Sequence, residues 1–345
     1  MRVIAIEEHW TTTKIDRALR AQPAGARDES VAWNDRGDIP AALLDIGEQR
    51  IAAMDAAGID VQILALAPPG THGLPPREAV ALSREANDRA SEAARRHPTR
   101  LRAMTTLPMS DPDAAVAELQ RTADAPGHVG IMSYGRSGAR PLDDPAHDEL
   151  LATAATLGRP VFIHPQIPPD AVREASYRGF DPTLDLALAT FGWGWHVEAG
   201  LAALRLILRG TFDRHPDLQI VLGHWGELLL FALDRIDGLS RLATHLDRRV
   251  ADYVATNVHI ATSGMLTPRL LRHALAYTSV DRILLSGDHP FHRLDAATLT
   301  AFLHTLPNPD DQQKIAHTNA ESLYGLPQPP AEADARTTTS LQENS

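Results

Sequence analysis

A TIM-like (β/α)8 barrel of the α/β class is predicted by three observations on this sequence. Eight short apolar runs recur along it, helical patterns separate them, and four of the runs lead into Glu, His or Asp. Continuous apolar runs are what parallel strands covered on both faces require. Strand–helix alternation repeated eight times is the signature of a closed barrel. A doubly wound open sheet is the weaker alternative, because no Gly-rich phosphate loop follows the first run.

The elements follow in order. The first strand is expected over Val3–Glu7, in MRVIAIEEHW. A segment rich in Gly, Asp, Arg and Pro, residues 21–39, then interrupts the rhythm. Pro40–Ala57 has apolar residues at helical spacing and closes on Gly58, a residue suited to ending a helix. The second strand is expected over Val61–Ala65, followed by a long helix over Arg77–Arg96 that stops near His97-Pro98. Leu101–Thr106 is the third strand. Asp111-Pro112-Asp113 opens the next helix with an N-cap and a first-turn proline. Val129–Ser133 is the fourth strand, a helix over Ala146–Leu157 ends at Gly158, and Pro160–His164 is the fifth strand. Residues 166–195 are longer than a barrel loop needs, and long loops at a barrel's C-terminal face cover active sites. A helix over Glu198–Arg209 ends at Gly210. Strands over Gln219–His224, Val258–Thr262 and Arg282–Gly287 complete eight. The expected organisation is one barrel domain over residues 1–327. The polar, proline-bearing stretch 328–345 has no periodicity and is expected to be a disordered tail.

Composition narrows the chemistry. The chain has 345 residues, 43% hydrophobic and 22% charged, the profile of a soluble globular protein with a full core. Its net charge of -11 argues against nucleic acid or an anionic membrane as partner. With no cysteine, any metal must be held by His, Asp and Glu. The start goes straight into a strand-like run, and no stretch of eighteen apolar residues occurs, so a cytoplasmic protein is expected.

In such a barrel the chemistry sits at the C-terminal ends of the strands. Glu7 and His9 leave the first strand two apart, so their side chains share a face. His164 ends the fifth strand, His224 the sixth, and Asp288 follows the eighth. A single histidine after a strand is more often structural, and a strand-end carboxylate often caps a helix. Four strands carrying ligand types at one end are poorly explained that way. Imidazoles and carboxylates suit one divalent ion, Zn or Mn, acting as a Lewis acid.

The Glu7-x-His9 start, His164-Pro165, GHWGE at 223–227 and SGDHPF at 286–291 resemble the amidohydrolase-related metal-dependent enzymes. Within that superfamily they look most like the branch holding γ-resorcylate and 2,3-dihydroxybenzoate decarboxylases. MDAAGID at 54–60, APPG at 67–70, HPTRLRAMTTLPMSDPDAAVAEL at 97–119 and GTFDRHPDLQIVLGHWGE at 210–227 extend the match from Val3 to about Gly325. The resemblance implies that Glu7, His9, His164 and Asp288 bind the metal. It implies His224 beside them as an acid/base group, with Glu227 behind it setting its tautomer. Arg235 is then a carboxylate-facing or structural cation. The resemblance also implies a homodimer or homotetramer.

Decarboxylation of a hydroxylated aromatic acid needs a proton delivered to the ring carbon that carries the carboxylate. Asp288 is the expected acid, its pKa raised in a dry mouth, with His224 assisting. Trp10, Phe191, Trp193 and Trp195 are candidate wall residues, although aromatics near strand ends are as often core. His289 stands where the decarboxylases carry a large aromatic, and His196 lies near the substrate loop; each is either a polar contact or a packed structural residue. Hydrolysis of a lactone, amide or ester is the alternative on this scaffold, with hydration a third possibility. Hydrolytic members commonly start H-x-H, whereas the aromatic decarboxylases start as this chain does, so Glu7-x-His9 favours decarboxylation over hydrolysis, with a small-molecule, aromatic carboxylate as the expected substrate. A barrel that binds a ligand without turning it over is disfavoured, since no ligand or acid/base residue is missing.

Overall fold

The computed structural model describes residues 1–327; the tail expected at 328–345 lies outside the described residues. Eight strands form one sheet: β1 Ile4–Trp10, β2 Val61–Leu66, β3 Leu101–Thr106, β4 His128–Tyr134, β5 Val161–His164, β6 Ile220–Leu222, β7 Val258–Ala261 and β8 Ile283–Leu284. All neighbours pair in parallel and in chain order. The ring closes where Ile6 bridges Ser286 and the Ile6 N–H donates to the Leu285 carbonyl at 3.1 Å. The (β/α)8 barrel is thus the fold.

Alternation along the strands divides the apolar side chains between two layers. Ile4, Ile6, Ile63, Met104, Phe162 and Val221 fill the barrel. Ala5, Leu64, Ile131, Ile163 and Ile260 face outward and pack with residues from the surrounding helices, among them Met54, Ala86, Leu119 and Leu206.

The helices that position the site begin with α1 Thr13–Ala21, α2 Ile39–Leu44, α3 Glu48–Ala57 and α4 Pro76–Arg96. They continue with α5 Pro112–Thr122, α6 Asp148–Thr156, α7 Asp170–Ser176, α8 Pro182–Ala189 and α9 Gly194–Leu208. The single helix expected over 40–57 is two, because Asp45 Oδ1 accepts from the N–H groups of Gly47 and Arg50 and starts α3 afresh. As expected, Gly58 ends α3 in the left-handed region, and Asp111 caps α5 by accepting from the Ala114 N–H.

Neither long insertion is structureless. Residues 21–39 carry a 3-10 turn, Glu29–Asp35, and residues 166–195 carry α7, α8 and the first two residues of α9. The two pack on each other. Trp33 Nε1 donates to Thr190 Oγ1 at 2.9 Å, its ring meets Phe191 edge-on at 5.0 Å, and Arg173 pairs with Glu29 at 2.6 Å.

Candidate active site

β1 runs three residues beyond its expected end, through Glu8, His9 and Trp10. Its register with β2 shifts between Ala5 and Glu8, and Glu7 takes a left-handed φ of 66°. That irregularity turns Glu7 and His9 into the mouth and Glu8 away from it. Ser263 Oγ and Ser286 Oγ both donate to Glu7 Oε2, the latter at 2.7 Å, which fixes the carboxylate. The Gly287 N–H and Gln62 Nε2 hold Glu8 on the opposite side.

Glu7, His9 and His164 each offer an atom within 4.8 Å of the others. His164 Nδ1 faces the Pro165 carbonyl at 2.7 Å, so it carries the hydrogen and leaves the Nε2 lone pair facing Glu7 Oε1 at 3.9 Å. Burial drives the His164 pKa down to about 3, which keeps the ring neutral. Burial likewise pushes Glu7 up to about 7 against the pull of His224. Glu7 Oε1 and both ring nitrogens of His9 are buried without a hydrogen-bond partner. Unsatisfied lone pairs facing one another in a buried site are costly unless a cation lies between them. These residues therefore fit a single divalent ion, Zn or Mn.

Asp288 stands beside this group, with Oδ1 3.2 Å from His9 Nε2. Its carboxyl is not raised as expected. Burial pushes it up, but His9, His224 and His292 outweigh burial and hold it below the ordinary carboxylate range. His224 follows β6 by two residues, its ring centre 6.5 Å from that of His164. Its Nδ1 meets Glu227 Oε1 at 2.7 Å. Burial lowers the His224 pKa, but the Glu227 charge and hydrogen bond outweigh it and raise it to about 10. Glu227 is correspondingly held at about 2, since the two histidines it binds outweigh its burial.

Backbone strain marks the same place. Glu7, His224, Glu227, Ser263 and Asp288 all have positive φ without being glycine. Such conformations cost energy and persist where the surroundings over-determine them.

The structure separates the expected wall residues. Trp10 is 1% exposed and lies in the layer between barrel and helices, because alternation past His9 points it outward. His289 gives its carbonyl to the His9 N–H at 2.7 Å, while its side chain lines a cavity of about 360 Å³ with Glu8, Arg50 and Gln62. Trp195 approaches the site, 6.1 Å from the His164 ring. Phe191 and Trp193 are half exposed, and Phe191 packs on Trp33. Arg235 is exposed and its side chain has no hydrogen bond among the described residues. Sequence reasoning gave no role to Ser263, Ser286 or Phe291, whose ring lies 5.6 Å from that of His9. Both serines follow strand ends, and Ser286 and Phe291 stand in the SGDHPF motif, so positional signals existed for all three.

Comparison with known proteins bears on this geometry. A sequence family described as amidohydrolase matches residues 41–326. A gamma-resorcylate decarboxylase of Rhizobium radiobacter is 37% identical over 339 residues, covering 94% of this chain and 98% of the relative. Two solved structures are similar over nearly the whole chain. The 5-carboxyvanillate decarboxylase of Novosphingobium aromaticivorans, complexed with manganese and 4-hydroxy-3-methoxy-5-nitrobenzoic acid, has a TM-score of 0.85 at 30% identity, covering 94% of this chain and 96% of its own. The dihydroxybenzoic acid decarboxylase of Polaromonas, with bound manganese and the inhibitor 2-nitroresorcinol, has a TM-score of 0.82 at 31% identity, covering 95% and 98%.

Proposed function

The chain belongs to the amidohydrolase family, and from that premise we propose that it is a metal-dependent, non-oxidative decarboxylase of a hydroxylated aromatic acid. The observation that carries the reading is the buried, unpartnered donor set of Glu7, His9 and His164 standing beside the His224–Glu227 pair. The whole-length similarity to aromatic-acid decarboxylases supports the reaction class, which makes the protein a carbon–carbon lyase.

Glu7, His9 and His164 would hold the ion, with Asp288 at its edge. When bound, the metal supplies a Lewis acid that orients the substrate's carboxylate and neighbouring hydroxyl and offsets their charge. The protein's own groups handle the proton. Glu227 keeps His224 charged, so His224 presents an acidic N–H to the mouth. Asp288, held below the ordinary carboxylate range by the histidines around it, takes up a proton before it can act as the acid. The proton then goes to the ring carbon that bears the carboxylate, the bond to that carboxylate breaks, and carbon dioxide leaves as the ring regains aromaticity. Trp195 and Phe291, beside His164 and His9, form apolar walls for the ring.

The reading extends to a homodimer or homotetramer in the cytoplasm. Phe231 and Leu242 are 79% and 80% exposed, apolar surface that a second copy would remove from water. No described helix is long and apolar enough to cross a membrane.

Metal analysis paired with a panel of ortho-hydroxybenzoates, 2,6-dihydroxybenzoate included, tests the proposal through carbon dioxide release. About one ion per chain and release from an ortho-hydroxy acid are expected. Bound metal without release from any acid would transfer the site to hydrolysis. Absence of bound metal after loading with Zn or Mn would overturn the assignment of the donor set.

A further inference from the structure

The Glu227 carboxylate is fully buried, and among the described residues its hydrogen-bond partners are two imidazoles. Oε1 meets His224 Nδ1 at 2.7 Å, and Oε2 meets His196 Nδ1, also at 2.7 Å. The other nitrogen of His196, Nε2, faces the Phe191 carbonyl at 2.9 Å. The two rings lie 4.8 Å apart.

Hydrogen accounting across this array is restrictive. A carbonyl oxygen only accepts, so His196 Nε2 must carry a hydrogen. The hydrogen shared between Nδ1 and Oε2 then joins His196 to the carboxylate on the side away from His224. There it clamps Oε2, which fixes the plane of the carboxylate and the direction of Oε1 toward His224.

The fold is built for this contact. His196 lies in the first turn of α9, and Gly200, one turn later, lets that helix sit against the 224–228 loop. A Cβ at Gly200 would come within 2.4 Å of the Glu227 carbonyl oxygen. The Phe191 carbonyl belongs to the loop whose ring packs on Trp33, so His196 also ties the paired insertions to the acid/base pair. The charged and titratable groups facing His224 are Glu227 on this side and Glu7, Asp288 and His164 on the other. None of those three binds His196.

We propose that His196 is a positioning residue for the decarboxylation: held between the Phe191 carbonyl and Glu227, it orients the carboxylate that in turn orients His224. This rests on the reading of His224 as the acid/base group. It is tested on the full chain loaded with zinc and labelled with 15N-histidine, using the difference between wild type and His224→Gln to assign the His224 ring signals. Those signals are expected to move in His196→Ala and to return toward wild type in His196→Gln, and unchanged His224 signals in His196→Ala would overturn the proposal. In parallel, His196→Ala is expected to lower kcat by about 10- to 100-fold with KM little changed. His196→Gln keeps one N–H for Oε2 and is expected to recover most of that loss. Wild-type kcat in the alanine variant, or a loss confined to KM, would overturn the proposal. If the wild type releases carbon dioxide from no acid in the panel, the assigned reaction fails, and the 15N signals alone decide whether His196 positions His224.

Discussion

At the scale of single residues, the site depends on groups that are paired unequally. Glu7 gives one oxygen to two serines and leaves the other bare, and His164 spends one nitrogen on a backbone carbonyl and leaves the other facing Glu7. A metal satisfies both remainders, so His164→Ala is expected to weaken metal affinity at least tens-fold, since changes even to groups behind a ligand cost that much. Isothermal titration of the metal-free protein measures this; unchanged affinity would remove His164 from the ligand set. Asp288 touches His9 and carries the proton in the proposed reaction. Asp288→Asn keeps the shape and loses the proton, so kcat is expected to fall about 10²- to 10⁴-fold at nearly unchanged thermal stability. A rate near wild type would take Asp288 out of the proton path.

At the scale of elements, the two insertions act as one unit. The 3-10 turn Glu29–Asp35 has few apolar residues of its own and gains its place from Trp33, which is 8% exposed and bound to Thr190 and Phe191. Trp33→Ala removes both the indole donor and the ring contact. Proteolytic cleavage within residues 23–37 is then expected to speed up while the barrel stays intact, because a local opening that loses its anchor is populated more. Cleavage at the wild-type rate would mean that the salt bridges of Glu29 to Arg173 and Arg178 hold the turn without the tryptophan. The insertions were legible as segments outside the strand–helix rhythm. Their pairing was not, because it depends on residues 157 positions apart meeting in space.

At the scale of the whole molecule, buried neutral histidines make stability depend on pH. Burial lowers the pKa of His72 to about 3, and burial with Arg282 nearby lowers that of His259 to about 3, against 6.5 for a free histidine. A depressed folded pKa means that the unfolded chain takes up protons that the native state refuses. The stability from these groups is present above 6.5 and is lost as pH falls from there toward 3. At about pH 5 the loss is on the order of 2 kcal/mol for each residue. Urea unfolding of the wild type and of His259→Gln at about pH 7.5 and pH 5 tests it, with the metal content kept the same. The variant should lose less stability on acidification, and equal losses would show that His259 takes up its proton while folded.

The sequence by itself determined the barrel and the register of its chemistry. Runs buried on both faces leave parallel strands as the solution, and strand ends place Glu7, His9, His164, His224 and Asp288 at one mouth. Tertiary structure decided what depends on contact and on local backbone geometry. The shifted register of β1 and the left-handed φ at Glu7 send Trp10 and Glu8 outward, where simple alternation from Val3 could not tell. The His289 backbone, not its ring, serves the site. His196, in the first turn of α9 and remote in sequence from any strand end, reaches Glu227 because a glycine lets α9 approach the loop. Periodicity reports which face a residue takes on its own element, whereas partners and hydrogen bonds depend on how close two elements come.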